Sequence, residues 1–433
     1  MRMKLITTIF LHLATAAIVA AQGVDFNTLK ATSRKITFPD GTTAAYKAYE
    51  RIRYIDKAID TNSQCLSVFV PANAQSDAPI ILKAYTPDFR SATPQLPSPT
   101  DETGIALRNG IVVCIVGCRG YNSMTLNTIE KQNGKKKKKK KATSTETDVA
   151  YCGKLPAPLI DLKAAVRYLR ANDNAIPGSS EKIIATGSMA GGGLAALLGA
   201  TADNPLYDNA LDAVGVAKCS DKVMAVACFA PLTDPLMSAR SGEWLVDHKG
   251  DYTRQLDTLA LLIPESETPL TTNTYRNYLK EILFESVQRD LSLGIAIPDD
   301  VGPDYYYDSH EQDDYALNFD LNEYLTAVRA IAPKNGYRNY FNALATKAYG
   351  EQPSDAYALS IRQMNIIYHL AYPTPTIPRR WYIRHGTLDA SVPITESITL
   401  AAMLSNMGND VDFEVQWSGG YDCWELVEWI KGL

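Results

Sequence analysis

Histidine is scarce in this chain, with five in 433 residues and none after His385. Any chemistry that draws a proton onto imidazole has few places to find one, and none near the carboxyl end. Cysteine is sparse and unpatterned. Seven stand at 65, 114, 118, 152, 219, 228 and 423, an odd number with no CxxC pair and no His-flanked spacing. That pattern excludes the usual zinc signatures, and it leaves disulfide pairing open, with one or two bridges possible. Cys114 and Cys228 lie in apolar strand-like runs and are expected to be buried as small hydrophobes. Basic surplus is also missing: the net charge is −5, which gives no reason to expect nucleic-acid binding. The glycines at 187–193 are followed by no P-loop lysine and lack dinucleotide spacing. No metal, nucleotide, flavin or other cofactor is implied.

A long apolar run stands at the start. "MRMKLITTIFLHLATAAIVAAQG" has Arg2 and Lys4 ahead of an apolar stretch and small residues near Ala21. It reads as a secretory leader over residues 1–21, cut before Gln22, which sends the chain to a secreted or periplasmic location. No cysteine follows the cut, so a lipid anchor is not expected, and no later stretch is long enough to span a membrane.

What is present is a large globular composition, 46% apolar and 21% charged. Strands are expected at 65–72, 78–85 and 110–121, the last a near-continuous apolar run typical of a strand buried on both faces. Helix 157–173 carries Leu159, Leu162, Ala165, Val166 and Leu169 on one stripe. Further strands at 182–186, 223–234, 379–389 and 411–417 alternate with the helix that follows the first of them and with helices at 396–408 and 424–433. Such alternation predicts an α/β fold: a mostly parallel central sheet with helices on both faces.

Two segments interrupt it. Residues 131–148 hold seven consecutive lysines at 135–141, which cannot pack together, and read as a flexible Lys-rich loop. The interval 236–377 is helical in pattern and rich in aromatics ("PDYYYDSH", 303–310), and reads as a cap over the sheet's carboxyl edge, where ligands of such sheets bind. The core then comprises 22–235 and 378–433.

The stretch "EKIIATGSMAGGGLAALLGA" (181–200) runs from an apolar strand through a glycine-rich turn into a helix. Taken with "GCRGY", "APLIDLKAAVRYLRANDNAIPGSSEKII", "APLTDP", "RHGTLDASVP" and "VDFEVQWSGGYDCWELVEWI", in that order, it resembles the α/β-hydrolase superfamily. Within it the chain is similar to secreted bacterial tannase- and feruloyl-esterase-like carboxylesterases. The resemblance implies an α/β-hydrolase fold, a nucleophile on a G-x-S-x-G elbow, an acid after a late strand, and a histidine before the final helix.

Laid on this chain, the elbow runs from Gly187 to Gly191 and its centre is Met189, whose thioether has no proton to lose. Ser188, one place early, is the alternative nucleophile. Asp389 matches the acid, with Asp234 as the runner-up. The histidine position falls on Trp417 or Ser418. His385 matches a structural position, His310 and His369 belong to the cap, and His248 to its entry. In the oxyanion loop the family's glycine pair is replaced by "TPDFR" (86–90): Pro87 offers no N–H and Asp88 is not glycine, leaving Ala190 as the remaining donor. The leading reading is therefore a pseudoenzyme of the carboxylic-ester hydrolase group that binds phenolic or sugar esters. The alternative is an active serine carboxylesterase using Ser188, Asp389 and a cap histidine. A structural or interaction role is the third. The partners implied are a small ester, phenolic or glycan ligand, with no nucleic acid and no membrane span. The oligomeric state is left open.

Overall fold

A computed structural model describes residues 23–131, 144–233, 272–294, 355–387, 389, 391–417 and 423–433. The leader, the lysine run and most of the expected cap, including the aromatic stretch 303–310, lie outside the described residues.

Three antiparallel strands open the chain: β1 (Thr32–Thr37), β2 (Thr43–Ile52) and β3 (Leu66–Pro71). β3 then pairs antiparallel with β5 (Val112–Gly117). From there every pairing is parallel, through β4 (Ile80–Tyr85), β8 (Ile183–Ser188), β9 (Ala225–Phe229), β10 (Arg380–Gly386) and β11 (Asp410–Gln416). The described strands form one nine-stranded sheet in the order β1-β2-β3-β5-β4-β8-β9-β10-β11. β5 is buried at every position, as a strand covered on both faces must be.

A separate ribbon pairs β6 (Met124–Lys131) with β7 (Ser144–Tyr151) in antiparallel register, Lys131 opposite Ser144. The expected loop 131–148 therefore has strand residues at both of its ends. Lys131 and Ser144–Asp148 are strand, because the threonine-rich flanks of the lysine run suit a pleated pair.

Helices cover both faces. On one lie α2 (Ala157–Ala171), α3 (Ala190–Ala200) and α4 (Asp208–Val214), with α8 (Ile394–Asn406) toward the β10 end. On the other lie α1 (Glu102–Arg108) and α9 (Cys423–Lys431), packed on Ile184, Phe229 and Tyr382. From the expected cap, α5 (Thr272–Ser292) lies against the edge strand β11, where Arg289 pairs with Glu414. α6 (Asp355–Met364) leads into α7 (Ile366–Ala371), whose first N–H reaches the carbonyl of Thr233 at 3.2 Å.

α2 departs from a simple amphipathic helix. Its apolar stripe is buried as expected, each large side chain contributing about 2 kcal/mol. Three of its four charged residues, Asp161, Lys163 and Arg167, are buried too. Asp161 is fully enclosed and receives the backbone N–H of Arg119 at 2.7 Å and that guanidinium through Nε and Nη2. Gln64 donates to the same carboxylate at 2.9 Å. Lower on the helix, Lys163 Nζ bonds Asp221 at 2.8 Å and the carbonyl of Thr201 at 2.5 Å, while Arg167 clasps the other oxygen of Asp221 at 2.7 Å. Burial alone would push the Asp221 carboxyl up; Lys163 and Arg167 hold it below the usual carboxylate range.

Lys163 also sits 4.9 Å from the ring centre of Tyr207, whose hydroxyl meets His369 Nε2 at 2.9 Å. Burial pushes the imidazole of His369 down to about 4. Cys65, Cys114, Cys118 and Cys228 are free and buried, and Cys152 and Cys219 are free and half-buried. No disulfide forms among them, and burial raises the pKa of each thiol.

Two outcomes follow from these buried charges. Asp221→Asn strands Lys163 and Arg167 without a counter-ion and should cost about 3–5 kcal/mol in urea unfolding at pH 7. His369 is neutral when folded but takes up a proton below its ordinary value near 6.5 when unfolded. Its contribution is therefore complete above that value and is lost as pH falls toward about 4. His369→Gln should lower the proton uptake on unfolding near pH 5 by about one, measured as the slope of unfolding free energy against pH.

Candidate functional site

β8 ends on Ser188, and the next residue, Met189, turns the chain directly into α3 with φ 51° and ψ −116°. This is a conformation L-residues rarely adopt, and it is the geometry of a nucleophile elbow. The flanking glycines are needed for close approach. A Cβ on Gly187 would stand 2.5 Å from the carbonyl carbon of Gly191, and one on Gly191 would stand 2.5 Å from the carbonyl oxygen of Ala84. The bend is anchored by the Met189 N–H to the Phe229 carbonyl at 2.9 Å. Gly193 and Leu232 both donate to the Met189 carbonyl.

Strand parity separates the two nucleophile candidates. Ser188 lies opposite Phe229 in the ladder and alternates with Thr186 and Ile184, so it belongs to the face covered by α1 and α9. Met189 is half-buried against the opposite cluster, under α2 and α3. Ser188 is exposed, and among the described residues its hydroxyl has no imidazole partner.

Asp389 lies in the loop after β10, half-buried. Its Oδ1 accepts the N–H groups of Ser391 at 2.7 Å and Val392 at 3.1 Å, shaping the entry to α8. His385, on β10, is buried, with Nδ1 at 2.8 Å from the Ser397 hydroxyl. Burial brings it down to about 4, against the pull of Asp389, and among the described residues its Nε2 has no hydrogen-bond partner. His369 is committed to Tyr207, so both described imidazoles are packed groups. His248 and His310 lie outside the described residues, as do Asp234 and Ser418. Trp417, at the end of β11, is fully buried, and its carbonyl accepts the Thr387 hydroxyl, tying the two adjacent loops together.

The expected oxyanion loop is a short turn, Pro87–Phe89, in which Asp88 (φ 50°) and Phe89 (φ 56°) both take the left-handed conformation glycine favours. Neither residue is glycine, yet both hold a backbone that glycine adopts most readily. Phe89 is buried, which supplies the anchoring that holds it there, while Pro87 and Asp88 are exposed. Across the bend, Ala190 opens α3, so its N–H has no acceptor within the helix.

Two links had no signal in local sequence. Glu396, buried at the start of α8, accepts both the N–H of Thr233, at 2.8 Å, and its hydroxyl, pinning the loop after β9. Arg90 closes the Pro87–Phe89 turn, its N–H reaching the Pro87 carbonyl at 2.8 Å. Among the described residues no cluster of His, Cys, Asp or Glu could hold a metal ion, and no helix is long and apolar enough to cross a membrane.

Because Gly191 touches the end of β4, Gly191→Ala should destabilise the protein by about 1–3 kcal/mol in urea unfolding, with the elbow displaced.

The family BD-FAE matches residues 121–262, a span that includes the ribbon, α2, the elbow and β9. No curated protein matches the chain. Among solved structures, it is similar to a tannin acyl hydrolase in complex with 3,4-dihydroxybenzoate, at 23% identity and TM-score 0.73, over 93% of this chain and 97% of that one. A Fusobacterium nucleatum tannase gives 23% identity and TM-score 0.69 over 93% and 98%. A Lactobacillus plantarum tannase gives 22% and 0.71 over 93% and 98%. At such identity the likeness speaks for the fold, which is the α/β-hydrolase fold in the arrangement of these tannases, the group whose motifs the sequence resembles.

Proposed function

We propose that this is an exported protein of the tannase- and feruloyl-esterase-like group that binds hydroxylated aromatic acids or their esters at the carboxyl edge of its sheet and does not hydrolyse them. One observation carries the reading. The elbow is intact in its backbone, yet the side chain at its summit is the thioether of Met189. Ser188 belongs to the other face of the sheet, away from the position an elbow presents to substrate. In a serine hydrolase, removing the nucleophile or its histidine alone costs roughly 10⁶ in kcat.

Retained strain supports the binding half of the proposal. Asp88, Phe89, Met189 and Ala230 all have positive φ, and they stand just after β4, β8 and β9, three adjacent strands. Each such residue costs about 1–3 kcal/mol unless its surroundings enforce it, and such positions cluster at ligand sites. A decayed edge under no constraint would be expected to relax. The similar tannin acyl hydrolases were solved with 3,4-dihydroxybenzoate and with ethyl gallate, which suggests the ligand class. Residues 1–21 are read as the export leader.

The purified chain should release no product from ethyl gallate or nitrophenyl acetate above background and take no label from a fluorophosphonate probe. Both 3,4-dihydroxybenzoate and ethyl gallate should raise its melting temperature. Turnover or labelling that disappears in Ser188→Ala would replace the pseudoenzyme by a working esterase with a displaced nucleophile. An unmoved melting temperature across phenolic acids, esters and glycosides would remove the binding claim.

A further inference from the structure

The turn that replaces the glycine pair ends on an exposed cation. Arg90 follows Phe89 directly, and its backbone is held twice: its N–H donates to Pro87, and its carbonyl accepts the Thr86 hydroxyl at 2.9 Å. The segment is clamped from the side by the loop after β5. There Tyr121 donates its N–H to the Phe89 carbonyl at 3.1 Å, and Asn122 Oδ1 accepts the N–H of Ser91 at 2.7 Å. The same turn packs against α3, the helix that the elbow starts.

The Arg90 guanidinium lies 6.0 Å from the ring centre of Tyr121, a cation–π distance that fixes its direction without neutralising it. No carboxylate among the described residues pairs with it. Other arginines of this chain are matched: Arg34 with Glu50, Arg108 with Asp40, Arg119 with Asp161, Arg170 with Glu181. Asp88, on the same turn, has interactions of its own.

We propose that Arg90 is the specificity-determining residue of this edge and binds the carboxylate of a free aromatic acid, so that the acid is held in preference to its neutral ester. The inference rests on the reading that the edge binds aromatic ligands, and it names which member of that class is held. A guanidinium meets a carboxylate with two parallel charge-assisted hydrogen bonds, and an ester offers only a weaker neutral acceptor. The first-turn N–H groups of α3, including that of Ala190, put a further partial positive charge at the same edge. With a thioether in place of the hydroxyl at Met189, nothing there attacks an acyl carbon, and a positive rim selects for charge.

The test is calorimetric titration of 3,4-dihydroxybenzoate and of its methyl ester into wild type, Arg90→Gln and Arg90→Lys, at pH 7.5 and low salt. Wild type should bind the acid about tenfold or more tightly than the ester. Arg90→Gln should bring the acid down to the ester's affinity and leave the ester unchanged, while Arg90→Lys keeps part of the preference. Because Arg90 is exposed, an unchanged melting temperature for each variant shows that the fold is intact. Equal affinity of wild type for acid and ester, or a preference that survives Arg90→Gln, overturns the role of Arg90 while the edge remains a binding site. Failure of both compounds to bind at millimolar concentration overturns the binding reading itself, and this inference with it.

Discussion

The bend at Met189 is the constraint around which the described core is arranged. Three backbone bonds converge on it, two accepted by its carbonyl and one donated by its N–H to the end of β9. Such a bend forces the strand to finish, the helix to begin and the next loop to arrive within one residue. That is why glycine stands on both sides and why α3 can approach β4 to backbone contact. The residue held in this geometry is Met189, and its side chain is a thioether.

Sheet parity then distributes the remaining chemistry. Consecutive residues at a strand end face opposite layers, so moving a hydroxyl by one position along the chain moves it across the sheet. Ser188 joins the layer of Phe229 and Tyr382, and Met189 joins the layer of α2 and α3. Asp389 stands after β10 and commits one oxygen to the backbone of its own loop. Among the described residues, Asp389 and His385 are each engaged by structural partners, Asp389 by its own loop and His385 by Ser397.

Much of this was legible in the residues. The apolar runs at 110–121 and 182–186 located β5 and β8, and the strand–glycine–helix text marks where β8 bends into α3. The motif "GCRGY" and the helix containing "LIDL" could be quoted but not explained. Their connection is the Arg119–Asp161 pair, which spans 42 residues and leaves no periodic trace. The same holds for the buried polar side of α2. A hydrophobic stripe marks which face is apolar, but it does not show that Asp221, 58 residues on, returns to satisfy Lys163. The left-handed Asp88 and Phe89 escaped notice for the converse reason: glycine announces such a backbone, and these residues conceal it.

The state of the cysteines has a bearing on where such a molecule can live. A thiol reacts as its thiolate, and each described thiol here is raised by burial away from that form. For Cys65, Cys114, Cys118 and Cys228, enclosure in the interior is therefore a kinetic shield against oxidation, one that exists only once the chain has folded. In an oxidising milieu, folding and thiol capture would run as competing reactions, so that the speed with which the interior seals decides how much material matures.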